Sequence, residues 1–184
     1  MSAVEIHGYA IVSQDDRIAD ASGETPRALR NEADWAYFQG ELDRAAVTVL
    51  GRFGHEANPN AKGRPRLVLS SAAAGLERRP DAWWWNPARL PWEQAIATVL
   101  PAGGRVAVPG GRQVFDLFLA LGYDTFHLTR AESVRVGEGT PLFSACEAGH
   151  SAEAVLARHG LEPGERRMID LAGPVSLTVW RRRR

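Results

Sequence analysis

The 184-residue sequence holds one cysteine, Cys146, one lysine, Lys62, and two methionines. A lone cysteine excludes an intramolecular disulfide framework and a cysteine-rich zinc ribbon. Apolar segments such as 114–121 fall far short of the ~20 residues that a membrane-spanning helix needs. The first ten residues carry Glu5 and His7 and no basic cluster, so they do not read as a secretory leader. The expectation is a soluble, cytoplasmic protein with no membrane partner. An excess of charge of one sign is also missing, since 22 Lys+Arg balance 22 Asp+Glu. Four of the basic groups are the terminal run Arg181–Arg184, and without them 18 basic face 22 acidic residues, a net of −4. That distribution argues against a nucleic-acid binder held by a broad basic face. The run reads as a solvated basic tail, 181–184, after a single domain spanning 1–180.

What is present is alternation. Val4–Val12 begins with strand-like spacing and becomes a continuous apolar run, the mark of a buried strand. Residues 13–30 are rich in Asp, Ser, Gly and Thr and read as a long loop. Asn31 suits a helix N-cap, with Glu32 and Asp34 in the first turn and Trp35, Phe38 and Leu42 as its apolar stripe. Short β-rich runs follow at 46–50, 66–70 and 105–108, then a helical stripe over 114–121 and a strand over 124–129. A helical stripe at 152–158 precedes two runs, 166–171 and 175–180, that flank Gly173-Pro174 as an antiparallel hairpin. Such alternation predicts an α/β protein with a mostly parallel sheet. The last strand, 175–180, offers an edge for pairing in a homodimer. Trp83-Trp84-Trp85, bracketed by Pro80 and Pro91, must face both sides of any strand it forms, as core or as a ligand platform.

Several residues carry potential chemistry. Gly110 and Gly111, between an apolar strand and an apolar helix, allow either a tight turn or a close backbone approach to phosphate at a helix start. Gly51-Arg52 and Ser70-Ser71 also follow strands, where α/β sheets place ligands. An arginine with two hydroxyls there suits an additional phosphate, as on a phosphorylated ribose, although each is equally at home as a surface cation or a turn. Asp34 is either a first-turn carboxylate or, if it faces an apolar cleft, a proton donor of raised pKa. His7, His55, His127, His150 and His159 show no metal-ligand spacing, and no metal is expected. No G-x-S-x-G nucleophile motif occurs.

The order Ala10-Ile11-Val12-Ser13, Asp34-Trp35-Ala36-Tyr37-Phe38, Leu50-Gly51-Arg52, Leu67-Val68-Leu69-Ser70-Ser71, Gly110-Gly111 and Leu128-Thr129 resembles the dihydrofolate reductase superfamily. Two subgroups leave marks. Ser13-Gln14-Asp15-Asp16-Arg17-Ile18-Ala19 and Val136-Gly137-Glu138-Gly139-Thr140-Pro141-Leu142-Phe143 look like the reductase domain of riboflavin-pathway deaminase–reductases. The 34–38 run and Gly63-Arg64 look more like folate reductases. Three positions depart from these patterns: Leu29 stands where folate reductases have a closing Trp, Gly54 replaces a threonine, and Asp16 replaces a glycine.

The resemblance implies a three-layer fold with a mostly parallel central sheet and a C-terminal antiparallel hairpin, and NADPH as cofactor. Gly110 and Gly111 match the pair lying against the cofactor's pyrophosphate, while Arg52, Ser70 and Ser71 match the grip on its ribose phosphate. Val12, Gly51 and Arg112 complete the implied cofactor contacts. Asp34 matches the carboxylate that binds and helps protonate a pterin, and Thr129 the threonine bonded to it. Ala10, Trp35 and Phe38 match substrate contacts, and Arg64 the arginine that grips the folate tail. The implied activity is hydride transfer to a small heterocycle, 7,8-dihydrofolate first. The alternatives are a riboflavin-pathway ribosylaminopyrimidine reductase and a nucleotide- or pterin-binding protein without turnover.

Overall fold

The computed structural model describes residues 3–183, so Met1, Ser2 and Arg184 lie outside the described residues. Nine strands form one sheet. They are β1 (Val4–Val12), β3 (Val47–Gly51), β4 (Arg66–Leu69), β5 (Leu76–Arg78), β6 (Trp83–Trp85), β7 (Gly104–Gly110), β8 (Thr125–Ala131), β10 (Leu161–Asp170) and β11 (Val175–Arg182), in the order β10-β11-β8-β1-β7-β3-β4-β6-β5. The six strands from β8 to β6 run parallel, whereas β11, and β5 at the far edge, pair antiparallel to their neighbours. The mostly parallel sheet and terminal hairpin agree with the sequence expectation.

Alternation along the strands divides the side chains into two layers. Ile6 and Val12 of β1 join Val106 and Val108 of β7 and Phe126 and Leu128 of β8 in the main core. Helices α3 (Trp92–Val99), α4 (Arg112–Leu121) and α5 (Ala152–Arg158) cover this face through Ile96, Phe115, Phe118 and Leu156. The opposite face carries His7 and Tyr9 of β1 and Ala107 of β7 under helix α1 (Glu32–Asp43), with helix α2 (Arg52–Ala57) beside it. Trp84 and Trp85 are core residues on opposite faces: Trp85 meets Trp92 in the main core, and Trp84 packs with Leu50 and Val68. Their indoles donate to Asp81 and to the Leu90 carbonyl, so neither polar handle is stranded.

Three differences from the sequence reading have local causes. The 13–30 segment is not one loop, because β2 (Arg17–Asp20) pairs with β9 (Gly139–Pro141) in a small second sheet. The terminal arginines are not all a solvated tail. Arg181 and Arg182 belong to β11, Arg182 donates to the Tyr123 carbonyl at 2.6 Å, and Arg183 pairs with Glu162 at 2.6 Å. Finally, β11 has no free edge for a dimer, since β8 flanks it on one side and β10 on the other.

The small sheet is part of a clasp between the two riboflavin-type segments. The Asp15 carboxylate accepts from Ser13 Oγ (2.7 Å) and from the amides of Val136 (3.0 Å) and Gly137 (2.7 Å). Partial burial alone would raise its pKa, but these hydrogen bonds outweigh burial and bring it down to about 2. Asp16 follows in the left-handed region, at φ 61°, which costs a non-glycine residue its Cβ clearance. Its carboxylate pairs with Arg130 at 2.6 Å, and Arg130 also holds Glu153 at 2.6 Å and the Ser13 carbonyl.

Two measurements follow. Asp16→Gly loses the ion pair but relieves the backbone, while Asp16→Ala loses the pair and keeps the strain. Urea unfolding is expected to find Asp16→Ala the less stable of the two by about 1 kcal/mol; equal stabilities would contradict the strain. The depressed pKa of Asp15 supplies stability that is complete above its unfolded value of 3.8 and is lost as pH falls towards about 2. Asp15→Asn should therefore flatten the acid limb of the stability profile in that window, and an unchanged limb would refute the clasp's contribution.

Candidate active site

Parallel strands end together, and the candidate cofactor residues sit where they end. Leu50 is in register with Gly110, and Gly51 with Leu69, so Gly110-Gly111, Gly51-Arg52 and Ser70-Ser71 line one edge of three adjacent strands. At ~4.8 Å between neighbouring strands, the row spans roughly 10 Å. Gly110 has φ 112°, and a Cβ there would approach the Phe115 ring to 2.7 Å, so the position demands glycine. The Gly110–Gly111 peptide is cis. A Cβ on Gly111 would meet nothing within 4 Å, which leaves open space in front of the turn. Gly111 is also the N-cap of α4 and supplies no side-chain acceptor, so the helix presents its first N–H groups and the positive end of its dipole to that edge.

The other members of the row differ in freedom. Arg52 is half exposed, lies over the Phe53 ring and stands 4.0 Å from Glu56. Ser70 is anchored by its amide, which donates to the Trp85 carbonyl, and its hydroxyl accepts from the Ala72 amide at 3.3 Å; Ser71 is exposed. Arg112 is committed elsewhere, donating to Glu147 at 2.8 Å. Val12 is fully buried in the main core and brings only its backbone to the edge.

Asp34 is set by the start of α1. The Asn31 side chain accepts from the Asp34 amide at 3.0 Å and donates to Asp170 at 2.7 Å, tying the helix start to the β10–β11 turn. Burial raises the pKa of Asp34, and the nearby Thr129 side chain of β8 works in the opposite direction. The structure thus brings Asp34 and Thr129 together. One turn along, Phe38 packs on Tyr9 (5.9 Å between ring centroids) and on Trp35 (6.0 Å), whose indole is 58% exposed.

Two candidate substrate residues are not gathered at Asp34. Ala10 packs its methyl against the main core, on the other face of the sheet from α1. Arg64 lies by the far end of α1, where its guanidinium donates to Asp43 (2.6 and 3.1 Å), the Gln39 side chain (2.9 Å) and the Gln39 carbonyl. Asp43 is nine residues beyond Asp34, roughly 13 Å along the helix axis. Arg64 instead lines a cavity of about 620 Å³ with Arg66, Arg78 and Trp83. The sequence reading also missed a buried polar cluster below Asp34 on the same face, made by His7, His127, Tyr37 and Glu41. Its members come from three elements, and no short-range spacing announces them.

At the level of sequence, no protein-family model and no curated protein matches the chain. Solved structures do match. A riboflavin biosynthesis protein from Shewanella sp. PV-4 is similar over 98% of this chain and 100% of its own, with a TM-score of 0.72 and 20% identity. Dihydrofolate reductase from Enterococcus faecalis, complexed with NADP(H) and RAB-propyl, is similar over 98% and 97% of the two chains, with a TM-score of 0.69 and 15% identity. A diaminohydroxyphosphoribosylaminopyrimidine deaminase/5-amino-6-(5-phosphoribosylamino)uracil reductase from Thermotoga maritima gives a TM-score of 0.67 at 14% identity, the chain spanning 57% of that protein's length. Backbone similarity over 98% of this chain, at identities this low, establishes architecture: the chain has the dihydrofolate-reductase fold.

Proposed function

We propose that this protein is an NADPH-dependent reductase acting on a small heterocycle, with 7,8-dihydrofolate the first substrate to test. The observation that carries the reading is Asp34, a half-buried carboxylate whose pKa burial raises, beside Thr129. A second support is the glycine turn and open helix start on the edge of the same sheet.

The residues present fit the cofactor. Gly111 faces open space that a larger residue would occupy, and the first amides of α4 offer donors to a diphosphate. Arg52 and the Ser70 and Ser71 hydroxyls, one and two strands away, are suited to the phosphate that distinguishes NADPH from NADH. NADPH when bound supplies a hydride, leaving NADP⁺, and the acceptor's carbon–nitrogen or carbon–oxygen double bond takes that electron pair at carbon. Negative charge then develops on the acceptor's nitrogen or oxygen. Asp34 delivers the neutralising proton, directly or through a water held by Thr129, and burial favours the protonated form it needs. Trp35 and Phe38 present an aromatic wall to the ring of the acceptor.

A ribosylaminopyrimidine of the riboflavin pathway is the second reading. The hydrogen-bonded clasp between the 13–17 and 134–143 segments supports it, because these two segments carry that resemblance. The commitment of Arg64 to Asp43 and Gln39 supports it too, since a folate tail would compete for those bonds. Binding of a nucleotide or pterin without turnover is the outcome if neither substrate consumes NADPH.

Following NADPH absorbance with each substrate separates these readings. Asp34→Asn is expected to lower the rate by ~10²–10⁴-fold while leaving NADPH affinity unchanged; full turnover would overturn the assignment. The raised pKa means that the folded state loses stability as pH rises from 3.8 through the folded value. Asparagine removes that loss, so the variant should melt higher than the parent at neutral pH. Arg52→Ala should raise the apparent KM for NADPH and narrow the preference over NADH, and unchanged discrimination would contradict the phosphate grip.

A further inference from the structure

β1 and β8 are neighbours in register, Tyr9 opposite His127, and this brings together two histidines 120 residues apart. His7 Nδ1 and His127 Nε2 face each other at 3.3 Å, and Glu41 Oε2 of α1 stands 3.9 Å from the same His127 nitrogen. All three side chains are buried, and the three ligand atoms lie within 4.8 Å of one another. We propose that His7, His127 and Glu41 form a binding site for one divalent transition-metal ion of the zinc type, which clips α1 to β1 and β8.

The geometry suits that ion. Tetrahedral zinc with bonds of about 2.0–2.1 Å to two imidazoles sets their nitrogens roughly 3.3–3.4 Å apart, which the 3.3 Å separation of His7 Nδ1 and His127 Nε2 matches. Glu41 Oε2 closes in from 3.9 Å off His127 Nε2 to complete the set. Each imidazole also has a partner for its outer nitrogen: His127 Nδ1 meets Tyr37 Oη at 2.6 Å, and His7 Nε2 lies 3.6 Å from the Glu5 carboxylate. Such outer partners fix the tautomer that turns the inner lone pair towards a metal. With the His127 proton on Nδ1, towards Tyr37 Oη, Nε2 is left to bind. Without the ion, the His7 Nδ1 hydrogen lies between the two facing nitrogens; on binding, His7 carries its proton on Nε2, towards Glu5, and the metal takes the vacated place.

Charge sets the conditions for loading. Glu41 accepts from Arg44 at 2.6 Å through Oε1, and from Arg105 (3.0 Å) and Tyr9 (3.2 Å) through Oε2. Arg44 holds the oxygen that faces away and stays in place as an outer partner. Arg105, 28% exposed, turns to solvent when the ion takes Oε2. A fourth position is left for water. Neither the fold nor the proposed hydride transfer requires the ion, so its test is independent of activity.

The chelator-treated full-length protein should be titrated with Co²⁺ and Zn²⁺, following calorimetry, the visible ligand-field bands of Co²⁺ and the melting temperature. One ion per chain, a tetrahedral Co²⁺ spectrum and a rise in melting temperature are expected. Tyr37→Phe should weaken binding by ~10-fold and His127→Gln by ~100-fold or more, while His159→Gln, at the end of α5 on the other face, should leave it unchanged. Should His127→Gln fail to fold, the Tyr37→Phe measurement and metal-induced shifts of the His7 and His127 ring resonances in the parent decide the matter. A folded parent that binds neither ion at 100 µM metal, an octahedral spectrum without histidine shifts, or affinity unaltered by Tyr37→Phe and His127→Gln overturns the site.

Discussion

The Asn31 side chain joins the two parts of the molecule on which the candidate chemistry depends. Its oxygen caps α1 at the Asp34 amide, and its nitrogen donates to Asp170 in the turn of the terminal hairpin. One amide thereby decides where α1 begins and how that start meets the hairpin. Asp34 is three residues from the cap, so its carboxylate is carried inward beside β8 rather than left at a frayed end. A capping interaction of this kind contributes only about 1 kcal/mol to stability. Its larger effect is positional, because a shift of one residue in the helix start would rotate Asp34 by ~100° about the axis.

The layers on either side of the sheet are built from different materials. The face under α3, α4 and α5 is apolar and aromatic, with Phe115, Phe126 and Phe143 in mutual contact and Phe118 against Trp92 and Tyr123. The face under α1 carries two histidines, two tyrosines, a glutamate and an arginine instead. Buried polar groups need partners, and here they find one another. α1 lacks a strong apolar stripe for the same reason: Tyr37 and Glu41 occupy inward positions where a purely structural helix would carry leucine.

Much of this could be read from the chain alone. Periodicity located the parallel strands because buried strands are continuous apolar runs, and Asn31 and Gly110 announced themselves through residue type. Features that depend on distant partners could not be read in this way. The pairing of Arg17–Asp20 with Gly139–Pro141 has too few residues to leave a period. Helix α3 escaped notice because its eight residues span little more than two turns. Arg64 was legible as an arginine in a family-like position, but its commitment to Asp43 depends on where the far end of α1 lands. His7 and His127 looked scattered, since only the sheet order makes neighbours of β1 and β8.

The outermost strand of the hairpin bears on how the protein behaves at high concentration. β10 leaves one row of backbone amides and carbonyls unpaired along its outer side. A flat border of that kind invites foreign chains to add themselves as further strands. Here Pro163 removes a donor, an irregularity between Pro163 and Arg166 bends the border, and Glu162, Glu165, Arg166 and Arg167 crowd it with charge. Fibril growth by strand addition is thus obstructed at the place where the sheet would otherwise be most receptive.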